Sequence, residues 1–439
     1  MPSSLVSLRD SAVFIFPGQG ADPRGALATL HGSTPQIAQR IEEILGAVDD
    51  VLAHAQQRRP IAPGLIRRIL LNPDLQCSLP VGVPQMASFI ASIAVAEVFE
   101  LFAIRPQLIV AQSLGEIAAM VCAGALDLTD GVRAICALNN AFQDQEGKGT
   151  MVLVEASEQD TLNIIATVGR PDLVLACINT PRQCVVSGPN EAIEALMNQA
   201  PGGARLLKLD MPYASHHPAL ESSVAQCFLA QLRALSPKTL RVPLYSCVAR
   251  RVYNDEDDLL RGLADCVVKP ADLLQALREV ESTAQTVFVD LGIGGGMARC
   301  ARAALPQART YAPLVQGGAE LKVWFDELLC RPDVEGPLTD RTIGGLAEAL
   351  GGSVSLQTRD QAAQILATLD LTHRIGMSNL QLHRGTYARL RANQGAAHQH
   401  PIIRRAGPDA GALAVVGGDR SVFVYSLCHP VWAVCRYFG

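Results

Sequence analysis

Short apolar strands alternate with longer amphipathic helices over the first 125 residues, and this alternation limits the fold more than any other feature. Residues 12–16 (AVFIF) form one buried strand, which runs into the turn PGQG, and residues 107–110 (QLIV) form another. Helical periodicity covers residues 36–56 and 85–103, and a further helix is expected from Leu114 to Ala125. Strands that alternate with helices of this length predict an α/β layer with a parallel sheet.

Residues 150–210 follow a different order of elements. The order is strand, helix, strand, strand, helix, strand, in the segments TMVLVEA, EQDTLNIIATV, LVLACINT, QCVVSG, NEAIEALMNQA and RLLKLDM. A β-α-β-β-α-β order in about 60 residues is the split pattern of a ferredoxin-like domain. We therefore predict a ferredoxin-like small subdomain inserted into a larger α/β unit.

After residue 210 the chain returns to the larger unit. A helix is expected over residues 219–235, strands at VPLYSCV and TVFVDLG, helices near 257–280, and a last helix at MARCARAAL. The predicted organisation is a large α/β subdomain formed by residues 1–149 and 211–325, with the small subdomain at 150–210 between its two parts.

Beyond residue 325 the alternation fades. Residues 338–352 and 359–371 could form helices, residues 391–412 are loop-like, and no motif is recognised up to the last residue. Residues 326–439 are therefore treated as a C-terminal extension of unknown role.

Composition excludes several classes of protein. The formal net charge of -5 argues against a nucleic acid partner. No apolar stretch reaches the roughly 18 uninterrupted residues of a membrane span, and the N-terminal residues lack the features of a secretory signal. The twelve cysteines form no C-x-x-C pair and lie mostly in apolar segments, which indicates reduced thiols in a cytoplasmic protein. The spacing of the nine histidines matches no metal-binding pattern, so we expect no metal site.

A serine stands where the second strand meets its helix, in the segment LIVAQSLGEIAAM (109–121). A sharp strand-to-helix turn lifts a serine side chain out of the sheet and requires small neighbours, as in the G-x-S-x-G elbow. Here Ala111 replaces the first glycine, and Gln112 precedes Ser113. Because alanine is still small, we expect Ser113 to be a nucleophile on an intact elbow.

A serine hydroxyl is a weak nucleophile until a nearby base takes its proton. Between residues 55 and 372 the only histidines are His216 and His217, which follow the predicted ferredoxin-like segment. The base is therefore expected to be one of these two. The turn FPGQG after the first strand and the backbone N–H of Leu114 are candidate donors for an oxyanion hole.

Five segments, in the same order along the chain, resemble the acyltransferase family that loads acyl carrier proteins. This family includes malonyl-CoA:acyl carrier protein transacylase and the acyltransferase domains of polyketide synthases. The segments are VFIFPGQG, VPQMASF, SLGEIAAMVCAGALDLTDGVR, INTPRQCVVSG and YASHHPALE, and the resemblance covers roughly residues 12–318. It implies an α/β-hydrolase-like large subdomain, an inserted ferredoxin-like subdomain, and a site in the cleft between them. It also implies no bound cofactor, with an acyl-CoA or phosphopantetheine thioester as the substrate.

The resemblance implies roles for individual residues. Ser113 would attack an acyl thioester while His216, which completes Y-A-S-H, takes its proton. The backbone N–H groups of Gln19 and Leu114 would hold the oxyanion, and the acyl group would then pass to the thiol of an acyl carrier protein. The other matched positions are the orienting residues Gln275 and Gln112 and the pocket residues Gln85, Tyr213 and Ser215.

Two departures from the family pattern bear on the substrate. Gln112 replaces the histidine that usually precedes the serine, but glutamine can still donate a hydrogen bond. Leu138 stands where extender-unit members carry an arginine that pairs with the free carboxylate of the substrate, and no arginine lies between Arg133 and Arg170. A buried carboxylate left unpaired costs about 3–5 kcal/mol. We therefore expect a non-carboxylated acyl group, with the alternative that Arg133 or another cation reaches the carboxylate.

Four functions are compatible with the sequence. The favoured one is transfer of a non-carboxylated acyl group, from CoA or a carrier protein, to an acyl carrier protein in polyketide or hybrid biosynthesis. A carrier-protein thioester hydrolase would use the same nucleophile with water as the acceptor, and an extender-unit transferase would use a carboxylated acyl group. A non-catalytic scaffold is the fourth, because Ala111 and Gln112 depart from the elbow pattern. No nucleic acid or membrane partner is expected.

Overall fold

A computed structural model describes residues 12–200, 204–280 and 286–315, together with the backbone of four strands between residues 402 and 435. The chain divides into two compact units, Met1–Lys322 and Val323–Gly439. The predicted helices at 338–352 and 359–371 lie outside the described residues.

The first unit contains two sheets and the helices that cover them. In chain order its strands are β1 (Ala12–Phe16), β2 (Leu108–Ala111), β3 (Gly149–Val154), β4 (Val174–Thr180), β5 (Gln183–Pro189), β6 (Leu206–Lys208), β7 (Leu244–Ser246), β8 (Arg251–Val252), β9 (Ala271–Asp272), β10 (Val287–Asp290) and β11 (Arg309–Tyr311). Its α-helices are α1 (Ala28–His31), α2 (Pro35–His54), α3 (Leu65–Leu71), α4 (Val83–Leu101), α5 (Gly115–Cys122), α6 (Leu128–Phe142), α7 (Glu158–Val168), α8 (Asn190–Gln199), α9 (Gln226–Leu232), α10 (Leu259–Val268), α11 (Leu273–Val280) and α12 (Gly296–Ala304).

The large sheet has the strand order β11-β10-β1-β2-β7-β8. All its pairings are parallel except that of β7 with β8, so the predicted parallel α/β layer is confirmed. Strand β1 is buried at every position and lies between β10 and β2. The carboxyl ends of neighbouring parallel strands meet at one edge of a sheet, and ligands of such folds bind there. The turn after β1 and the serine after β2 therefore come together at this edge.

Local signals in the sequence define where the long helices begin. The side chain of Thr34 accepts a hydrogen bond from the N–H of Ile37, and Pro35 occupies the first turn of α2, where its missing N–H costs nothing. Asp127 caps α6 in the same way through the N–H of Asp130. Helix α4 is long and apolar enough to cross a membrane, but most of it is buried inside the protein, which is the pattern of a core helix.

The small subdomain has the predicted β-α-β-β-α-β order and forms an antiparallel sheet with the order β6-β3-β5-β4. Its core of apolar side chains includes Val152, Val186 and Leu196. The large subdomain adds a fifth strand, because β9 pairs in parallel with β4 at Cys177 and Ile178. The small sheet is thus continued by a segment that follows it in the sequence by more than 60 residues.

Two sequence predictions differ from the structure. The expected continuous helix over 219–235 is a 3-10 turn (Pro218–Leu220), a π-turn (Glu221–Ala225) and then α9. The helical segment begins at Pro218 because the imidazole of His217 accepts the N–H of Ala219, and the wider π-turn follows before regular α geometry is reached. Sequence periodicity does not distinguish these helix types.

The second difference lies in the second unit. Four antiparallel strands, β12 (Ile402–Arg405), β13 (Ala412–Val416), β14 (Val422–Ser426) and β15 (Trp432–Cys435), pair in chain order as a meander. The prediction that residues 391–412 are loop-like is therefore wrong for β12. A run as short as PIIRR carries too few alternations to identify a strand, and its stability comes from pairing with β13.

Candidate active site

Ser113 lies on a sharp turn between β2 and α5, in a left-handed backbone conformation with a φ of 56°. Such a conformation costs a non-glycine residue about 1–3 kcal/mol, so the surrounding structure must hold it. The N–H of Gln112 donates to the carbonyl of Phe16, and the N–H groups of Gly115 and Glu116 donate to the carbonyls of Gln112 and Ser113. This is the geometry of a nucleophile elbow, in which the serine side chain projects from the edge of the sheet.

The elbow requires glycine at only one of its two usual glycine positions. A Cβ atom at Gly115 would lie 2.4 Å from the carbonyl oxygen of Phe16 and 2.5 Å from that of Pro17, so only glycine fits. Ala111 is fully buried at the end of β2, and its carbonyl accepts the N–H of Cys247. The side chain at position 111 is accommodated, so the elbow forms with alanine in place of the first glycine.

His216 is in hydrogen-bonding contact with the serine. The Nε2 atom of His216 lies 2.8 Å from the Oγ atom of Ser113, and its Nδ1 atom lies 2.7 Å from the carbonyl oxygen of Lys269. A carbonyl can only accept, so Nδ1 carries the proton and Nε2 presents its lone pair to the serine hydroxyl. The imidazole is therefore in the tautomer that a general base requires.

Burial lowers the pKa of His216 below its ordinary value, and the hydrogen bond to the Lys269 carbonyl opposes part of that shift. Only 3% of the residue is exposed. His217 faces elsewhere, because its Nδ1 accepts the N–H of Ala219 and its Nε2 contacts the carbonyl of Asp172. Of the two candidate bases, only His216 contacts Ser113 among the described residues.

The structure corrects the expected role of Gln275. Its side-chain amide donates to Glu279 on the same helix, at 2.7 Å, and its backbone N–H donates to the side chain of Asp272. The Nδ1 atom of His216 is held instead by the carbonyl of Lys269. A backbone carbonyl has no signature in the sequence, so residue types could not have identified this partner.

Gln19 and Leu114 are placed beside the nucleophile on two different elements. Gln19 lies in the turn after β1, where a Cβ atom on the preceding Gly18 would lie 3.3 Å from the Cβ of Ser113. Leu114 is the residue that precedes α5. Within the described residues, neither backbone N–H donates to a protein acceptor. Both groups are thus free to stabilise negative charge that develops on a substrate oxygen.

A network of neutral polar groups surrounds the hydroxyl of Tyr213. This hydroxyl lies 2.5 Å from the side-chain amide of Gln85 and 3.1 Å from that of Gln19, and the ring of Tyr213 stacks on Phe142 with centroids 4.2 Å apart. The Oε1 atom of Gln85 is buried and has no partner in the described part of the protein. The predicted pocket residues Gln85 and Tyr213 therefore belong to one cluster with the side chain of Gln19.

Leu138 lies on α6 one helical turn before Phe142 and is half-buried. Residues four apart share a helix face, so Leu138 is on the side of α6 that carries the ring stacked on Tyr213. Arg133 is exposed and lies 3.5 Å from Asp130, an ion pair on the outer surface of α6. Arg133 therefore does not take the place of the arginine that extender-unit members carry at position 138.

The remaining predicted site residues lie where the two subdomains meet. The side-chain amide of Gln112 donates to Asn179 on β4, at 2.9 Å, so it connects the elbow to the small subdomain. Ser215 is buried next to His216. Asn179 in turn lies 3.4 Å from the side chain of Gln183. Asn179 and Gln183 lie in the hairpin INTPRQCVVSG, and no feature of the sequence predicts a role for either of them.

A cavity of about 210 Å³ opens beside the oxyanion donors. Gln19, Leu114, Ser88, Ser92, Gly294 and Arg299 are among the residues that line it. The guanidinium of Arg299 donates to the carbonyl of Gly294 at 2.6 Å, and in the described ranges it has no acidic partner within 4.0 Å. Sequence patterns gave no reason to single out Arg299, because α12 and the elbow are about 180 residues apart.

A serine on a strand-to-helix elbow, a buried histidine in contact with it and two free backbone donors are the groups that the class of acyl-transfer enzymes requires. Comparison with known proteins agrees with this class. Residues 13–316 match the family described as "Acyl transferase domain", and the chain belongs to that family.

This chain spans only a small part of the length of the curated polyketide synthases that it matches. Polyketide synthase GfsB of Streptomyces halstedii is 32% identical over 295 residues, which is 65% of this chain but 5% of that synthase. The acyltransferase domain from module 8 of the salinomycin polyketide synthase is 27% identical, with a TM-score of 0.61 over 73% of this chain and 75% of the other. The malonyl CoA-acyl carrier protein transacylase of Coxiella burnetii has the same fold, with a TM-score of 0.64, 22% identity and coverage of 73% and 98%.

The first prediction concerns the pH dependence of acyl-serine formation. Because burial lowers the pKa of His216, its neutral form persists to more acidic pH than that of a free histidine. The acidic limb of the acylation rate should therefore have its midpoint below pH 6.5, the ordinary histidine value. Rapid-quench intact-mass measurements between pH 4.5 and about 9 determine this midpoint. The H216A variant should lose about 10³-fold or more in rate, and H217N should lose little. A midpoint above 6.5 would contradict the assignment.

The second prediction concerns the glycine after the nucleophile. The G115A variant places a methyl group 2.4 Å from the Phe16 carbonyl, so the elbow must shift. We expect a loss of about 1–3 kcal/mol in the free energy of unfolding and loss of Ser113 acylation. Urea unfolding and intact-mass labelling provide the two readouts. The matched control is G46A in α2, where a Cβ meets no atom within 4 Å and alanine favours the helix. Normal acylation in G115A would show that this close approach does not shape the elbow.

Proposed function

We propose that this protein transfers a non-carboxylated acyl group from an acyl thioester to the phosphopantetheine thiol of an acyl carrier protein in polyketide or hybrid biosynthesis. The donor would be an acyl-CoA or an acyl carrier protein. The observation that carries the proposal is the 2.8 Å contact between His216 and Ser113 beside a pocket wall formed by neutral side chains. Family membership, together with the polyketide synthases and the acyl carrier protein transacylase among the similar proteins, supports the carrier protein as the acceptor and polyketide synthesis as the setting.

The first half-reaction forms an acyl-serine. The Oγ atom of Ser113 attacks the thioester carbon while its proton moves to Nε2 of His216. The N–H groups of Gln19 and Leu114 stabilise the oxyanion, and each such donor contributes about 3–4 kcal/mol to transition-state stabilisation. The carbon–sulfur bond then breaks, and the imidazolium returns the proton to the departing thiolate. The carbonyl of Lys269 keeps the protonated ring in place by accepting from Nδ1.

The second half-reaction reverses these roles with a different thiol. The carrier-protein thiol loses its proton to Nε2 of His216 and attacks the acyl-serine carbonyl. When the ester bond breaks, Ser113 recovers its proton and the acyl group leaves as a new thioester. Water in place of the thiol would make the protein a thioester hydrolase. The two acceptors are distinguished by the product, because only transfer leaves an acylated carrier protein.

The preference for a neutral acyl group follows from the side chains around Tyr213. Leu138 occupies the face of α6 that carries Phe142, and the groups on the Tyr213 hydroxyl are the neutral amides of Gln85 and Gln19. Arg59 also lines the cavity that contains Tyr213 and Phe142, but its guanidinium is paired with Glu146. A free carboxylate buried there would therefore lack an unpaired cation, at a cost of about 3–5 kcal/mol. This cost corresponds to a discrimination of about a hundredfold or more.

A carboxylated, malonyl-type acyl group is the second candidate, and one observation favours it. Arg299 lines the same cavity as Gln19 and Leu114, and no carboxylate in the described ranges pairs with it. A cation at this wall could receive the free carboxylate of a substrate. The name of the similar malonyl CoA-acyl carrier protein transacylase is consistent with that chemistry.

The third prediction tests the substrate class through position 138. Acetyl-, propionyl- and malonyl-CoA compete for Ser113 in one mixture, and intact mass reports which acyl group is attached. We expect neutral adducts to dominate in the wild type by about a hundredfold, because the side chains around Tyr213 offer a carboxylate no unpaired cation. The L138R variant should shift the ratio toward malonyl, whereas the control L138M should not. Dominant malonyl loading by the wild type would overturn the proposed preference.

The fourth prediction tests the second candidate separately. If Arg299 binds a substrate carboxylate, R299Q should lower malonyl labelling by about a hundredfold and leave acetyl labelling unchanged. The matched control is R302Q on the same helix, because Arg302 is exposed and contacts Thr310 instead of the cavity. For a neutral-acyl enzyme, we expect R299Q and R302Q to give the same malonyl-to-acetyl ratio as the wild type. A selective loss in R299Q identifies the extender-unit function.

A further inference from the structure

Glu116 is a fully buried carboxyl group three residues after the nucleophile, and the proton transfers described above do not use it. Its Oε1 atom accepts a hydrogen bond from the hydroxyl of Ser246 at 2.5 Å, and its Oε2 atom accepts one from the hydroxyl of Tyr253 at 2.8 Å. Both partners lie in the segment that contains β7 and β8, about 130 residues further along the chain. The carboxyl group thus joins the first turn of α5 to a distant part of the large subdomain.

A carboxyl group in this place is costly for stability. Removing a charged group from water carries a penalty of several kcal/mol, and its hydrogen bonds restore only part of it. Burial accordingly raises the pKa of Glu116 to about 7. An apolar side chain of similar volume would fill the space with less penalty. The two hydrogen bonds instead restrict the position of the first turn of α5.

The backbone of Glu116 belongs to the elbow itself. Its N–H donates to the carbonyl of Ser113 at 2.9 Å. Because Ser113 has a φ of 56°, its orientation depends on contacts of this kind and not on an intrinsic backbone preference. Any shift of Glu116 is transmitted directly to the peptide that carries the nucleophile.

The segment that contains Ser246 and Tyr253 is also hydrogen-bonded to the segment that orients His216. The hydroxyl of Ser246 accepts the N–H groups of Val248 and Ala249, which fixes the turn after β7. The next residue in that turn, Cys247, donates its N–H to the carbonyl of Ala111 and accepts the N–H of Asp272 at its own carbonyl. Asp272 lies three residues after Lys269, whose carbonyl holds the imidazole of His216.

We propose that Glu116 is a positioning residue that sets the distance between the Ser113 hydroxyl and the His216 imidazole. The hydrogen bonds of Glu116 to Ser246 and Tyr253 connect the elbow to the segment of β7 and β8. The turn after β7 is in turn hydrogen-bonded to the segment that orients His216. Loss of the carboxyl group leaves the fold and the substrate pocket in place but misaligns the two reacting atoms. Misplacement of about 1 Å can cost a hundredfold in rate, so the effect falls on kcat while KM stays near its original value.

The test uses a variant that keeps the packing while it removes the carboxyl group and one of its two hydroxyl partners. E116L/Y253F replaces the carboxyl and the tyrosine hydroxyl together, so of the two hydroxyl groups only that of Ser246 loses its acceptor, and Ser246 still accepts the N–H groups of Val248 and Ala249. We expect unfolding close to that of the wild type, a loss of about tenfold to a hundredfold in the rate of acyl-serine formation, and a KM for the acyl donor within about twofold. The single variant E116Q keeps the volume but offers one acceptor oxygen to two hydroxyl groups, so it should lose rate in the same way.

The matched control is E279Q. The carboxylate of Glu279 also accepts from a tyrosine hydroxyl, that of Tyr245, at 2.6 Å, but it is exposed and makes no contact with the elbow. We expect normal acylation in E279Q. A folded E116L/Y253F or E116Q protein that acylates Ser113 at the wild-type rate overturns the inference. If E116L/Y253F fails to fold, E116Q decides.

The inference rests on Ser113 as the nucleophile of the proposed function, and the two can fail separately. If the wild-type protein forms no acyl-serine with any of the donors, the proposed function fails. If the wild type is acylated and the variants are acylated as fast, only the role of Glu116 fails. A purely structural role for Glu116 would make the loss of rate follow the loss of folded protein, and the unfolding measurement excludes or establishes that relation.

Discussion

The hydrogen bond between Ser113 and His216 is the interaction on which the proposed chemistry of this protein depends. Both residues have a φ of 56°, so neither end of the bond adopts a conformation that the backbone prefers. At the serine end of the bond, the carbonyl of Phe16 at the end of β1 accepts the N–H of Gln112. The close approach of the backbone there permits only glycine at position 115. On the histidine side, one backbone carbonyl, that of Lys269, fixes the ring. The rest of the large subdomain supplies the rigidity that these two strained residues require.

Burial and the choice of neutral partners determine the electrostatics of the site. His216 is buried, which favours its uncharged form, the form that a general base requires, and its Nδ1 partner is a carbonyl and not a carboxylate. The groups around the Tyr213 hydroxyl are amides. A cation does occur nearby, but Arg299 lies at the wall of the adjacent cavity and not on α6.

The small subdomain is joined to the catalytic elements by backbone pairing as well as by side chains. Strand β9 comes from the large subdomain and extends the sheet of the small one, directly after the carbonyl that holds His216. Gln112, the residue before the nucleophile, reaches Asn179 on the neighbouring strand β4. The position that departs from the family's usual histidine thus acquires a structural role as a bridge. A movement of the small subdomain would therefore displace both Ser113 and His216.

The amino-acid sequence predicts the parallel α/β layer, the β-α-β-β-α-β insertion and the serine at the strand-to-helix junction, because each depends on local periodicity and on small residues at fixed positions. It reduced the base to two adjacent histidines but could not choose by spacing alone, since the choice depends on which ring faces the elbow. The three-dimensional contacts alone show that Lys269, and not Gln275, orients His216, that Glu116 is buried against Ser246 and Tyr253, and that Arg299 reaches the cavity. These contacts join residues far apart in the chain, and a backbone carbonyl is the same whatever the side chain, so no sequence pattern records them.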